Sequence, residues 1–139
     1  MSYFINPIKE EECVFLTYEG DLSLIEIIAA RYEANALLAR KRWKRIVLDI
    51  TELQSLLAAQ ELFEVARGLS EDLPRNARIA LVVRPEQEGH AKLIESAARK
   101  EGVLLAFFFD VEEATTWVKE TTLHEQSQHR VERTGNGIR

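Results

Sequence analysis

The chain has 139 residues, 46% of them hydrophobic and 29% charged, which is typical of one globular domain with a sizeable core. Its formal net charge of −5 disfavours a protein whose whole surface binds nucleic acid, because phosphate contacts require a positive field. Cys13 is the only cysteine, so an intrachain disulfide and a cysteine-based zinc site are excluded.

The N-terminus and the longest apolar run bear on localisation. The N-terminus lacks the basic start and the long apolar segment of a secretory signal. The longest apolar run, residues 103–109, is about a third of the ~20 residues that a membrane-spanning helix needs. A lone cysteine also suits a reducing compartment. We therefore expect a cytoplasmic protein without a membrane span.

The first part of the chain predicts a β-hairpin followed by a helix. Residues 3–8 and 13–18 are short strand-like runs that a polar turn separates, which favours an antiparallel hairpin at one edge of a sheet. Ser23 and Glu26 then have the spacing of a capping box. A helix over residues 22–42 is the consequence.

That helix carries two apolar stripes. The first stripe consists of Ile25, Ile28, Ala29, Tyr32, Ala36, Ala39 and Trp43. The second stripe consists of Ile27, Ala34 and Leu38. One stripe can cover the sheet, and the other needs a neighbouring helix of the same chain or another molecule. We take the second stripe as a candidate interaction surface.

A basic cluster at residues 40–45 follows the helix. Cations at this end offset the negative end of the helix dipole, which is a sufficient structural explanation. Binding to nucleic acid or to anionic lipid is the functional alternative, and the net acidity of the chain makes nucleic acid an unlikely partner.

The rest of the chain alternates strands and helices. The apolar run at residues 46–50 predicts a central parallel strand that is covered on both faces. The later elements are a helix at 56–70, a strand at 78–83, a helix at 88–101, a strand at 103–109 and a fourth helix at 111–120 that Asp110 caps. This order predicts an α/β fold with a mostly parallel sheet. We expect one domain over residues 1–120 and a flexible tail over 121–139.

Sequence motifs of catalysis are absent. The chain contains no glycine-rich dinucleotide or P-loop motif and no hydrolase nucleophile elbow. Asp49 lies near the carboxyl end of the central strand, where carboxylates often face ligand clefts in open α/β sheets. Its structural alternative is to accept hydrogen bonds from the following turn, which we favour because no nucleophile, general base or metal cluster accompanies it. We predict no metal, no cofactor and no enzymatic activity.

Four segments of the chain form a recognisable set: Tyr18-Glu-Gly-Asp-Leu22, Ile46-Val-Leu-Asp-Ile50, Arg78-Ile-Ala-Leu-Val-Val83 and Phe108-Phe-Asp-Val-Glu-Glu-Ala-Thr-Thr-Trp-Val118. Together they resemble the bacterial STAS-like proteins, which are also grouped as sporulation-factor-AA-like or STAS/SEC14 domains. The resemblance covers about residues 3–120. It implies a mixed sheet of four or five strands with helices around it, frequent dimerisation, and no established catalytic activity.

Two further expectations come from branches of this group. Anti-sigma-factor antagonists are switched by phosphorylation of a serine at the start of the helix after the central strand. That position corresponds to Leu56 here, so Ser55, one residue earlier, is a weak phosphorylation candidate that also serves as a plain helix cap. SEC14-type domains bind lipid-like ligands, and Phe108 and Trp117 could line such a pocket, although aromatic residues there are more often core.

Our leading hypothesis is therefore a non-enzymatic regulatory domain that binds a protein partner or a second copy of itself. The candidate surfaces are the second stripe of the first helix and the region near Asp49, Thr51, Leu56 and Leu57. Binding of a small apolar ligand is the alternative.

Overall fold

The computed structural model describes residues 2–54, 61, 64, 65 and 73–120. The predicted helix at 56–70 lies almost entirely outside these residues, and so does the predicted tail at 121–139. The strands are β1 (Ser2–Ile8), β2 (Cys13–Gly20), β3 (Arg45–Leu53), β4 (Arg78–Val82) and β5 (Leu104–Phe108). The helices are α1 (Leu24–Lys41), α2 (Glu88–Lys100) and α3 (Val111–Val118).

The five strands form one sheet in the order β1-β2-β3-β4-β5. β1 pairs with β2 in antiparallel fashion, and the other three pairs are parallel. The predicted central strand is confirmed, because residues 46–50 belong to β3 in the middle of the sheet. The α/β class, the mixed sheet and the N-terminal hairpin agree with the sequence prediction. Four helices were predicted, and the described residues contain three.

Two apolar layers lie on opposite faces of the sheet because side chains alternate along each strand. On one face, Ile46 and Ile50 of β3 belong to a core cluster that includes buried residues of α1 and α2. On the other face, Val47 belongs to a second cluster with Ala114, Trp117 and Val118 of α3. α3 contacts β3, β4 and β5. Within the residues that the structure describes, α1 and α2 thus cover one side of the sheet and the shorter α3 covers the other.

The sequence signals at the helix ends are confirmed. The Ser23 hydroxyl accepts from the Glu26 N–H at 3.2 Å, and the Glu26 carboxylate accepts from the Ser23 N–H at 2.8 Å. Asp110 begins α3, because its carboxylate accepts from the Glu112 N–H at 3.0 Å. Gly102 follows α2 with a φ of +76°, a left-handed conformation that glycine adopts without strain. These residues define where α1 and α3 begin and where α2 ends.

Candidate interaction surface on the first helix

The second stripe of α1 faces the sheet. Ile27 is 4% exposed, and Ala34 and Leu38 are fully buried in the core cluster below α1. The Tyr18 hydroxyl of β2 donates to the Ile27 carbonyl oxygen at 2.9 Å and fixes the rotation of the helix about its axis. The prediction that Ile27, Ala34 and Leu38 form an interaction surface is therefore wrong, because these side chains are buried in the core.

The first stripe of α1 is the one that solvent reaches. Ile25 is 79% exposed and Tyr32 is 54% exposed. Ala29, between them, and Ala36, one turn after Tyr32, are exposed as well. We call these four residues the outward stripe. The Tyr32 ring is held in place by the Arg31 guanidinium, 5.1 Å from its centre. A contiguous apolar stripe on a surface helix is a candidate binding surface.

Polar contacts anchor α1 on both sides of the outward stripe. The Tyr3 hydroxyl of β1 donates to the Glu33 carboxylate at 2.8 Å, and this bond together with the negative charge raises the pKa of Tyr3. On the other flank, the Arg31 guanidinium donates to the Val65 carbonyl oxygen. α1 is therefore held on both flanks, and the outward stripe is presented on a fixed support.

The basic cluster at residues 40–45 has local structural partners. The Lys41 ammonium lies 5.1 Å from the centre of the Trp43 ring, and the Arg45 guanidinium donates to the Glu11 carbonyl oxygen at 2.7 Å. Arg42 ends α1 in the left-handed conformation, with a φ of 62°. Arg40 and Lys41 remain exposed at the C-terminal end of the helix, where cations offset its dipole.

The carboxyl end of β3 is a rigid, hydrogen-bonded edge. The Asp49 carboxylate accepts from the N–H and the hydroxyl of Thr51 at 2.9 and 2.7 Å, within β3 rather than in a turn after it. The Gln87 amide, fully buried, donates to the Ile50 carbonyl oxygen at 2.9 Å. Arg84 donates to the Thr51 carbonyl oxygen.

Three candidates on that predicted surface lie outside the described residues. They are the phosphorylation candidate Ser55 and the neighbouring Leu56 and Leu57. Their roles stay predictions from the sequence.

The two rings proposed to line a lipid pocket belong to the core. The centres of the Phe108 and Trp117 rings are 5.7 Å apart, and the two side chains are 6% and 5% exposed. Both residues also line one side of an open depression of about 410 Å³. The polar lining of this depression is mainly acidic: Asp110, Glu112, Glu113, Thr116 and Glu120. Carboxylates at the mouth suit cations better than an apolar ligand.

Cys13 has the surroundings of a core residue. It is fully buried, and burial raises the pKa of its thiol to about 12. A small apolar residue on an early strand is expected in the core. Within residues 2–54, 61, 64, 65 and 73–120, no group of three or more His, Cys, Asp or Glu side chains could hold a metal ion. No helix in this described part is long and apolar enough to span a membrane.

Solved structures share this architecture. The crystal structure of an anti-sigma factor antagonist from Mycobacterium paratuberculosis matches with a TM-score of 0.57 and 13% sequence identity, over 86% of this chain and 96% of that one. An uncharacterised DUF3478-family protein from Shewanella loihica, described as having a SpoIIAA-like fold, matches with a TM-score of 0.55 and 18% identity, over 84% and 92%. The chain has a SpoIIAA-like fold.

The SpoIIAA-like fold agrees with the STAS-like resemblance in the sequence. At these identities the likeness establishes the fold alone. A scan against protein-family models and a search of curated proteins found no match.

Proposed function

We propose that this SpoIIAA-like protein is a non-enzymatic, cytoplasmic regulatory domain that binds another polypeptide through the outward stripe of α1. The observation that carries the proposal is the 79% exposure of Ile25 and the 54% exposure of Tyr32 on one face of a fixed helix. Covering an exposed side chain of the size of Ile25 is favourable by about 1.5–3 kcal/mol, and covering the rest of the half-exposed Tyr32 ring adds to this. A partner that covers the stripe recovers that free energy.

The fold neighbours support a regulatory role. One of them is an anti-sigma factor antagonist, a name that describes a protein acting through protein contacts. The chemistry of the described side chains points the same way. The Cys13 thiol is buried and held protonated, and the Asp49 carboxylate is engaged by Thr51, so neither is presented to a substrate. Recognition through a helix face needs none of these groups.

Photo-crosslinking tests the proposal. Tyr32 is replaced by a photoreactive phenylalanine analogue, and the purified protein is irradiated in an extract of cells that produce it. We expect crosslinks to a polypeptide, either this chain or another, which mass spectrometry identifies. Excess unlabelled protein should compete for them, and the Ala36→Lys variant should not, because its ammonium group interrupts the stripe.

The matched control carries the same photoreactive residue at Thr116, an exposed position of α3 on the other side of the sheet. This control should give no crosslinked product that excess wild-type protein reduces and excess Ala36→Lys protein leaves unchanged. Equal crosslinking from positions 32 and 116, or none from position 32, contradicts the proposed function.

A further inference from the structure

The outward stripe alternates large and small side chains: Ile25, Ala29, Tyr32 and Ala36. The intervals between them are four, three and four residues, so the pattern has the same spacing when it is read in reverse. All four positions lie on one face of α1. When a second copy of α1 lies antiparallel to the first, each large side chain meets an alanine.

In that arrangement Ile25 of each copy lies opposite Ala36 of the other, and Tyr32 lies opposite Ala29. Large side chains opposite small ones fill the space between two helices without overpacking. A parallel copy would place Ile25 on Ile25 and Tyr32 on Tyr32, which crowds two layers and leaves gaps at the alanines. The stripe is thus complementary to itself in the antiparallel direction only.

The charges at the two ends of α1 also favour antiparallel pairing. Asp21 and Glu26 lie at the N-terminal end of α1, and Arg40 and Lys41 lie at its C-terminal end. Asp21, Arg40 and Lys41 are exposed. Antiparallel pairing brings the basic end of one helix beside the acidic end of the other, twice across the two-fold axis. Parallel pairing would place like charges together, which is unfavourable.

We propose that two copies of this chain associate through their α1 helices, antiparallel across a two-fold axis, with Ile25 seated on Ala36 of the other copy. This inference rests on the proposed function and names its partner. α1 is about 27 Å long, from 18 residues at ~1.5 Å each. One helix pair buries less than a standard interface of ~1,600 Å², so we expect a weak, reversible dimer.

Sedimentation equilibrium over a range of protein concentrations measures the association. The wild-type protein should pass from the 15.9 kDa monomer to twice that mass as concentration rises. Ala36→Lys should raise the dissociation constant at least about tenfold, because the ammonium group is buried against Ile25 of the other copy. Thr116→Lys, an equally exposed helix position outside the stripe, should leave it unchanged. Circular dichroism checks that both variants are folded.

Cysteine crosslinking measures the direction of the helices. Ile25→Cys and Ala36→Cys are made separately, mixed, and treated with a short thiol crosslinker, while the buried Cys13 does not react. Antiparallel pairing predicts 25–36 products between the two variants in excess over 25–25 and 36–36 products. A dominant 25–25 product, or a dimer that Ala36→Lys does not weaken, overturns the proposed geometry.

A wild-type protein that stays monomeric at millimolar concentration overturns the homodimer. The crosslinking experiment from position 32 then separates the two proposals. Capture of a different polypeptide by the outward stripe keeps the proposed function while the homodimer fails, and no capture from position 32 means that both fail.

Discussion

The guanidinium carbon of Arg78 lies 4.3 Å from the centre of the Trp117 ring. The same side chain donates to the carbonyl oxygen of Glu120 at 2.6 Å, and it lies 3.7 Å from the Glu120 carboxylate. Arg78 opens β4, whereas Trp117 and Glu120 lie at and just beyond the end of α3. The buried Arg78 side chain therefore links α3, the only helix described on this face of the sheet, to β4.

Replacing this cation should weaken the whole domain. We expect Arg78→Ala to lower the free energy of unfolding by about 2–4 kcal/mol, because a buried ring and a carboxylate lose their common partner. Urea denaturation measures the change. Lys41→Ala is the control: its ammonium lies over Trp43 but is exposed, so the loss should stay below about 1 kcal/mol. Similar losses in the two variants would contradict the importance of the buried contact.

The buried amide of Gln87 should be replaceable by glutamate only at low pH. Gln87 donates to the Ile50 carbonyl oxygen at 2.9 Å and accepts from the Arg84 N–H at 2.8 Å. An ionised carboxylate can accept but cannot donate, so Gln87→Glu should cost about 2–3 kcal/mol at pH 7. In the folded variant, the pKa of the introduced carboxyl group is raised, because only its protonated form donates to the Ile50 carbonyl oxygen.

The sign of the pH effect follows from that raised pKa. Relative to wild type, the stability of the Gln87→Glu variant should be greatest below the unfolded-state pKa of about 4.3 and should fall as pH rises through the folded-state pKa. Denaturation from pH 4 to 7, compared with wild type, measures it. Gln87→Met lacks the titrating group, so its loss relative to wild type should be constant over this range. The same constant loss in Gln87→Glu would refute the donor role of the side chain.

Glu26 should make the wild-type protein less stable in acid. The Ser23 N–H donates to its carboxylate at 2.8 Å, and this bond lowers the pKa of Glu26 below the usual 4.5. A lowered folded-state pKa means that the contribution is present above the unfolded-state pKa and is lost as pH falls through the folded-state value. Glu26→Gln should therefore flatten the fall in unfolding free energy between pH 5 and 3. Parallel pH profiles for variant and wild type would count against this linkage.

The Cys13 thiol should be unreactive until the protein unfolds. Burial raises its pKa to about 12, so thiolate is scarce at pH 8.5 and the sulfur is out of reach of reagents. We expect labelling by a disulfide reagent to follow global unfolding, with an engineered Thr116→Cys group reacting at once as the control. Rapid labelling of Cys13 in the native protein would show that β2 opens locally.

The same thiol predicts a loss of stability in alkali. Because its folded-state pKa is raised, the contribution is complete below the unfolded-state value near 9.0 and disappears as pH rises toward about 12. Cys13→Ala should fall less steeply over that window. Denaturation at pH 8 and pH 10.5 measures the difference between the two slopes.

The sequence determined the elements and the class of fold. The apolar, β-branched run at residues 46–50 is typical of a strand that is covered on both faces, and the strands around it alternate with amphipathic helices. Short-range chemistry fixed the helix starts, since the bonds of Ser23 with Glu26 and of Asp110 with Glu112 join residues within one turn. Such contacts depend on spacing alone and can be recognised before any tertiary structure is known.

Only the tertiary structure decided which stripe of α1 is buried. Both stripes are apolar, so hydrophobicity along the helix does not distinguish Ile27 from Ile25. The choice is made by residues distant in sequence: Tyr18 of β2 bonds the Ile27 carbonyl, and Tyr3 of β1 bonds Glu33. These contacts rotate the helix about its axis, and the rotation puts Ile25 and Tyr32 in solvent. A surface whose position depends on such long-range contacts cannot be read from helical periodicity.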